Sequence, residues 1–302
     1  MLDLIKLKTF QVVAATGSLT RAAAKLGYSQ SNVTTHIKAL EQELGRTLFE
    51  RSRTGVALTE SGRRALDYAG RLLTLEAEAK VLIHEPQNPS GVLHLSAPES
   101  LLSYRLPKVL QQYRHTYPDV QLSILSNPDV ESHIIAVASG AAELAFVIDE
   151  PLESDRVEVE VISDEEIVVV VGAGHPLLGY SVADSAQLDI RAVQESEMLL
   201  CDTVHGYHLS YSQAILGQNK HFRTLELGST EAVKRCTMAG VGFAVLPRFA
   251  VEQELASSEL FLLPGLCRPF NAKLQLLAPK DRMTLPAGQE LRQFARRELA
   301  HS

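Results

Sequence analysis

The stretch Ser18-Leu19-Thr20-Arg21-Ala22-Ala23-Ala24-Lys25-Leu26-Gly27-Tyr28-Ser29-Gln30-Ser31-Asn32-Val33-Thr34-Thr35-His36-Ile37-Lys38-Ala39-Leu40 decides the fold of the amino-terminal part of the chain. Leu19, Ala22, Ala23 and Leu26 recur on one helical face, and Ser18 is placed to cap it. Gly27 supplies the sharp turn, which needs φ > 0. A second helix starts at Ser29 or Gln30 and turns Val33, Ile37 and Leu40 inward. The small Ala23 lets the two helices cross closely, and β-branched Val33 packs the second helix back on the first. That is the pattern of a helix-turn-helix, whose second helix enters the major groove of DNA. Its outward residues are Gln30, Ser31, Asn32, Thr34, Thr35 and Lys38, with Ser29 at the start. These short polar and amide side chains can bond base edges or phosphates. A merely solvated helix face would carry Glu and Lys instead.

Working outward, Leu4 to Ala15 reads as a preceding helix with Leu4, Leu7, Phe10, Val13 and Ala14 facing a core, ended by Gly17. After Gly45, two short strands around Ser52-Arg53-Thr54-Gly55 make a wing, with Arg51 and Arg53 placed to reach phosphate or the minor groove. Thr59 can cap a long helix whose stripe is Ala65, Tyr68, Ala69, Leu72, Leu75, Ala79 and Leu82. A stripe of this kind, with no domain core of its own, suits dimerisation. Pro86-Gln87-Asn88-Pro89-Ser90-Gly91 reads as a hinge. The expected domains are therefore 1–59 for the winged helix-turn-helix, 60–90 for the linker helix and hinge, and 91–302 for the remainder.

Charge is distributed unevenly. The 302 residues carry a net charge of -7. Before residue 60, however, Lys6, Lys8, Arg21, Lys25, Lys38, Arg46, Arg51 and Arg53 are opposed only by Asp3, Glu41, Glu43 and Glu50. A basic head on an acidic body is the asymmetry of a chain that meets phosphate with one domain only. No apolar run reaches the ~18 residues of a membrane helix, so no membrane partner is expected. The start has no basic n-region or cleavage site, which points to the cytoplasm. Cys201, Cys236 and Cys267 are too scattered for a disulfide framework and read as reduced, buried thiols.

The motifs Ser18 to Leu26, Ser29 to Thr34, Leu40-Glu41-Gln42-Glu43-Leu44-Gly45, Leu48-Phe49-Glu50-Arg51 and Leu58-Thr59-Glu60-Ser61-Gly62 together resemble the signature of LysR-type transcriptional regulators. The match is collinear and ungapped. From Val92 onward the pattern changes to short apolar strands alternating with helices, which implies an α/β domain with parallel pairing. Strands are expected at Val92 to Ser96, Val120 to Leu125, Leu144 to Ile148 and Glu166 to Val171. Further strands are expected around Leu199, Leu225 to Leu227, Phe243 to Leu246, Leu260 to Leu263 and Lys273 to Ala278. This part resembles the LysR-type effector domain through Leu106-Pro107, Tyr117-Pro118-Asp119-Val120, Gly140 with Glu143-Leu144-Ala145, His175-Pro176-Leu177, and Ala239-Gly240-Val241-Gly242 before Leu246-Pro247. Glu143 stands where the family more often has Asp.

The resemblance implies a two-lobed α/β domain of the periplasmic-binding-protein fold, with lobe one at about 91–163 and 268–302 and lobe two at about 164–267. It implies a sequence-specific regulator, not an enzyme, controlled by a small-molecule effector of unknown identity bound between the lobes. It also implies double-stranded promoter DNA as a partner, RNA polymerase as a further one, and a homodimer or homotetramer. No cofactor and no metal are expected. Ligands in such folds sit where strand ends and helix starts face a cleft. The candidates are Pro98, Glu99, Ser100, Ser126, Asn127 and Ile148 from lobe one, and Thr203, His205, Ser229 and Phe243 from lobe two. Ser100 and Ser229 stand at expected helix starts, which favour an anion. Glu99 would repel one, and is expected to point to solvent or cap its own helix. If it faces the cleft, a cationic or zwitterionic effector fits better.

Other chemistries find less support. Cys201, His205, His208 and His221 have ligand-like types but no metal-site spacing. Cys201 as a peroxide sensor would want a resolving cysteine close by in sequence. An enzyme would want a nucleophile elbow, a P-loop or a dinucleotide fingerprint, and none is present.

Overall fold

In the computed structural model, the described residues are 3–52, 55–84, 88–127, 129–181, 195–201, 223–263 and 272–300. They divide into two units, Met1–Gln87 with Ser139–Ala141, and Asn88–Ala138 with Ala142–Ser302.

The first unit begins with three helices, α1 (Leu4–Thr16), α2 (Leu19–Leu26) and α3 (Gln30–Leu44). Phe10 and Val13 from α1, Ala22 and Ala23 from α2, and Val33, Ile37 and Leu40 from α3 form one buried cluster. Each helix has its cap: the side chains of Asp3, Ser18 and Ser29 accept from the first turns of α1, α2 and α3. Strands β1 (Phe49–Ser52) and β2 (Gly55–Leu58) pair antiparallel as the wing. Helix α4 (Glu60–His84) follows. Its Ala65, Leu66, Ala69 and Leu73 pack on the head's core, whereas Tyr68, Leu72 and Leu75 are exposed.

The second unit holds two five-stranded sheets. The first has the order β4-β3-β5-β12-β6, from β3 (Gly91–Ser96), β4 (Val120–Leu125), β5 (Leu144–Asp149), β6 (Val157–Glu165) and β12 (Ala272–Pro279). The second has the order β11-β7-β10-β8-β9, from β7 (Ile167–Gly172), β8 (Glu197–Leu200), β9 (Arg223–Glu226), β10 (Phe243–Pro247) and β11 (Leu260–Leu262). The chain passes from the first sheet to the second at Glu166, between β6 and β7. The return implied by the expected lobe boundary at about 267/268 lies outside the described residues.

Parallel pairing joins β4, β3 and β5 in one sheet and β10, β8 and β9 in the other. The remaining pairs, β5 with β12, β12 with β6, and β7 with both β10 and β11, are antiparallel. The expectation of parallel pairing therefore described only part of each sheet. β12 explains the difference in the first sheet, since a strand arriving late in the chain is free to run against β5.

Around the first sheet lie α5 (Glu99–Tyr104), α6 (Leu106–Thr116), α7 (Val130–Ala138) and α11 (Pro286–Leu299). Around the second lie α8 (Pro176–Ser181), α9 (Thr230–Met238), a 3₁₀ turn at Arg248–Ala250 and α10 (Glu252–Ala256). One apolar cluster includes Leu93, Phe146 and Leu276 of the first sheet together with Val169, Phe243 and Val245 of the second. Buried Glu143 sets α11 in place. Its carboxylate accepts from the Leu285 N–H at 2.6 Å and from the Arg282 guanidinium at 2.6 Å, just before the helix begins.

Candidate DNA interface and interlobe cleft

The surface of α3 is built from its cap outward. Gly27 closes α2 at φ 69°, and the Tyr28 N–H then donates to the Ala23 carbonyl at 3.0 Å. Ser29 is extended and its hydroxyl accepts from the Asn32 N–H at 3.2 Å, so α3 starts there. With Val33, Ile37 and Leu40 inward, Gln30, Ser31, Asn32, Thr35 and Lys38 are exposed and Thr34 is half-buried. The first turn of α3 carries no acidic residue, which leaves the positive end of the helix dipole available to phosphate. Three of the head's acids are engaged internally: Asp3 caps α1, Glu43 pairs with Lys6 at 3.6 Å, and Glu41 holds the wing.

Glu41, one of the acids of the head, has a role beyond charge that the sequence analysis does not assign. Its Oε1 accepts from the Leu48 N–H at 2.8 Å and the Phe49 N–H at 3.3 Å, which fixes where β1 leaves α3. A glutamate one turn before the helix end, followed by Gly45, is the signal that could have shown it. On the other side, the Val56 N–H donates to the Gly17 carbonyl at 3.0 Å and ties β2 to the α1–α2 turn. Arg51 lies in β1, with its backbone opposite Val56. Arg53 lies outside the described residues.

In the second unit, Glu99 departs from its expected role. It opens α5, and its Oε1 accepts from the Ser103 hydroxyl at 2.8 Å. Its Oε2, however, accepts from the Thr230 N–H at 3.1 Å. The carboxylate from beside the first sheet thus caps α9, which belongs to the second, and it faces across rather than to solvent. Ser229 is the side-chain cap of that same helix, accepting from the Ala232 N–H at 3.2 Å. Thr230, unmarked in the sequence reading, also lies with its hydroxyl 3.4 Å from the Cys201 thiol at the end of β8.

Two more contacts cross nearby. Buried Lys234 of α9 donates to the Tyr104 hydroxyl at 3.2 Å and pairs with Glu254 at 2.6 Å. Burial pulls the Lys234 ammonium down, but its bonds to Glu254 and Tyr104 outweigh that and hold it above the ordinary lysine range. Arg105 pairs with Glu165 at 2.7 Å and lies over the Phe249 ring at 4.6 Å.

The other cleft candidates are spread more widely. Pro98 and Ser100 are half-buried beside Glu99, and Ser126 is exposed after β4. Asn127 turns inward, its amide donating to the buried Ser96 hydroxyl at 2.8 Å, and Ser96 in turn lies 2.8 Å from His133 Nδ1. Ile148 is core, packed with the apolar cluster. Phe243 requires a correction. Its strand β10 runs parallel to β8 with Phe243 opposite Met198, so it stands at the start of the strand, fully buried, and not at the strand end that faces a cleft. Asp149, not Ile148, is the half-buried polar group at the end of β5, and burial pushes its carboxyl above the usual aspartate range. Thr203, His205, His208 and His221 lie outside the described residues, as does Cys267. Cys201 and Cys236 are half-buried rather than buried.

Residues 4–63 match the family described as bacterial regulatory helix-turn-helix protein, lysR family, and residues 86–300 match the LysR substrate binding domain. The chain is 30% identical over 262 residues to the uncharacterized HTH-type transcriptional regulator YwqM of Bacillus subtilis (strain 168), covering 86% of this chain and 87% of that one. It is 33% identical over 247 residues to the HTH-type transcriptional regulator GltR of the same organism, covering 80% of this chain and 78% of that one. The fold is similar to that of ArgP from Mycobacterium tuberculosis, with a TM-score of 0.71 and 19% identity over 99% of this chain and 97% of that one. The two family matches leave little of the chain unassigned: it belongs to the LysR-type transcriptional regulators, with a DNA-binding helix-turn-helix and an effector-binding domain.

Proposed function

We propose that this regulator reads promoter DNA with α3 and the wing, and that a small effector binds where Glu99, Ser229 and Thr230 meet between the two sheets. The DNA-reading residues are Ser29, Gln30, Ser31, Asn32, Thr34, Thr35 and Lys38, with Arg51 and Arg53 on phosphate. The observation that carries the effector reading is the Glu99 carboxylate on the Thr230 N–H. It couples the two sheets through a polar contact at the ends of the strands, where ligands of such α/β folds bind. Among the described residues, none of the ion pairs neutralises Glu99, while Arg105 and Lys234 beside it are already paired. That balance favours an effector bearing a cationic group, either a small amine or a zwitterion. Pro98, Ser100, Ser126 and Asn127 belong to the same side, and Thr203 and His205 come after β8 in the sequence. An effector that engages Glu99 alters its contact with α9 and so the equilibrium between two arrangements of the domain.

The regulator acts as a homodimer or homotetramer in the cytoplasm, with RNA polymerase as a further partner and no cofactor. Tyr68, Leu72 and Leu75 are exposed at spacings of four and three along α4, the coiled-coil repeat, which a second copy of α4 would cover.

The test is a thermal-unfolding screen of small metabolites against the full-length protein. A ligand at a hundredfold its Kd stabilises by about 2.7 kcal/mol. The expected hit is an amine or amino acid whose stabilisation is lost in Glu99→Gln and weakened in Ser229→Ala. A hit that protects both variants as well as the wild type would move the site elsewhere.

A further inference from the structure

The hydroxyl of Thr34 donates to the Gln30 carbonyl at 2.9 Å, and that of Thr35 donates to the Ser31 carbonyl at 2.9 Å. A threonine hydroxyl has one proton and two lone pairs. Both protons are therefore committed inside α3. What the two side chains present outward is an acceptor oxygen beside a methyl group. The arrangement is held by the few rotamers open to a β-branched residue in a helix, one of which makes this bond to the carbonyl four residues back.

Bases answer that surface differently. In the major groove adenine offers its N6 amino donor, cytosine its N4 amino donor, and thymine a 5-methyl group and an acceptor. Guanine offers two acceptors, O6 and N7, and no donor. An A·T pair meets both features at once, with an amino donor for the oxygen and a methyl for the methyl. A G·C pair with guanine facing the side chain sets two acceptors against an oxygen that has no proton left to give, and with cytosine facing it the oxygen finds a donor but the methyl finds no methyl.

We propose that Thr34 and Thr35 are specificity-determining residues that select A·T pairs and exclude guanine from the base positions they face. This rests on the reading that α3 lies in the major groove. Recognition of guanine is left to groups that keep free donors, namely the amides of Gln30 and Asn32 and the ammonium of Lys38.

The experiment selects binding sites from a random duplex pool with the full-length protein, then varies single positions in the best site. Variants are Thr34→Val and Thr35→Val, which keep shape and methyl but lose the oxygen, and Thr34→Ser and Thr35→Ser, which keep the oxygen but lose the methyl. Positions whose base profile changes in a variant are the positions that residue faces. At these, replacing A·T by G·C is expected to weaken wild-type binding roughly tenfold. Replacing thymidine by deoxyuridine, which removes only the 5-methyl, is expected to cost roughly threefold. The valine variants keep the uracil sensitivity and lose the preference for adenine. The serine variants do the reverse. Guanine at a faced position, bound by the wild type and lost in the valine variants, would show the hydroxyls donating and overturn the proposal. An unchanged base profile in all four variants would overturn it too. A selection that enriches no sequence would overturn the groove reading itself and the proposal with it.

Discussion

Ser96 and His133 are buried together, the serine oxygen 2.8 Å from Nδ1 of the imidazole. Burial pushes the His133 pKa down to about 4, with Asp129 opposing. In the folded protein the ring is therefore neutral at pH 7, whereas in the unfolded chain it takes a proton near pH 6.5. A group with a depressed cationic pKa leaves stability intact above the unfolded value and erodes it as pH falls from there toward the folded one. Between pH 7 and pH 5 this site alone removes about 2 kcal/mol. Urea unfolding of the wild type and His133→Asn at the two pH values checks it. The wild type is expected to lose about 2 kcal/mol more than the variant across that interval. Equal losses would mean that His133 is not held neutral by the fold. Neither partner carried a local sequence signal, because the contact joins residues 37 apart. Glu99 is the same case over a span of 131 residues. Which residues bear helix caps was readable; which helix a given carboxylate caps was not.

At the scale of elements, α1, α2 and α3 were legible because each buries one face and keeps a single period. The wing was legible through its glycine turn. β6 was not, although it is among the longer strands. Val157-Glu158-Val159-Glu160-Val161 alternates apolar with acidic residues at a sheet edge, and the charges obscure it. Those charges are matched across the sheet by α11. Arg292 pairs with Glu158 and Glu160 at 2.6 Å each, and Arg296 also pairs with Glu160. The bond from Arg292 holds Glu158 below the usual carboxylate range.

Gly62 is another element-level constraint. A Cβ there would lie 2.1 Å from the Leu48 carbonyl oxygen, where the wing backbone crosses the start of α4. Gly62→Ala should destabilise the head by about 1–3 kcal/mol, read as a lower melting temperature. An unchanged melting temperature would show that the crossing is looser than described. The exposed stripe on α4 predicts that Leu72→Glu with Leu75→Glu lowers the oligomeric state in sedimentation, with weaker DNA binding as a result. If the double variant sediments like the wild type, the stripe is not the dimer contact.

At the scale of the molecule, the basic head and acidic body were visible in composition, and the collinear motifs carried the family. The two-sheet architecture followed from that resemblance more than from strand patterns, which predicted parallel pairing alone. What the sequence could not show was how the sheets are joined: by a shared apolar cluster, by polar contacts through Glu99 and Tyr104, and by Arg105 over the Phe249 ring.

On the proposed reading, α3 reads bases while the cations of the wing hold phosphate. A footprint of the full-length protein on DNA upstream of its own gene tests this, with salt-dependent affinities for wild type, Gln30→Ala and Arg51→Ala. Protection over paired half-sites is predicted. Gln30→Ala should change which base is preferred with the salt slope intact, and Arg51→Ala should weaken all sequences alike and lower the salt slope by about 1. Equal losses on every sequence for both variants would contradict the claim, and would mean that α3 holds the backbone without reading it.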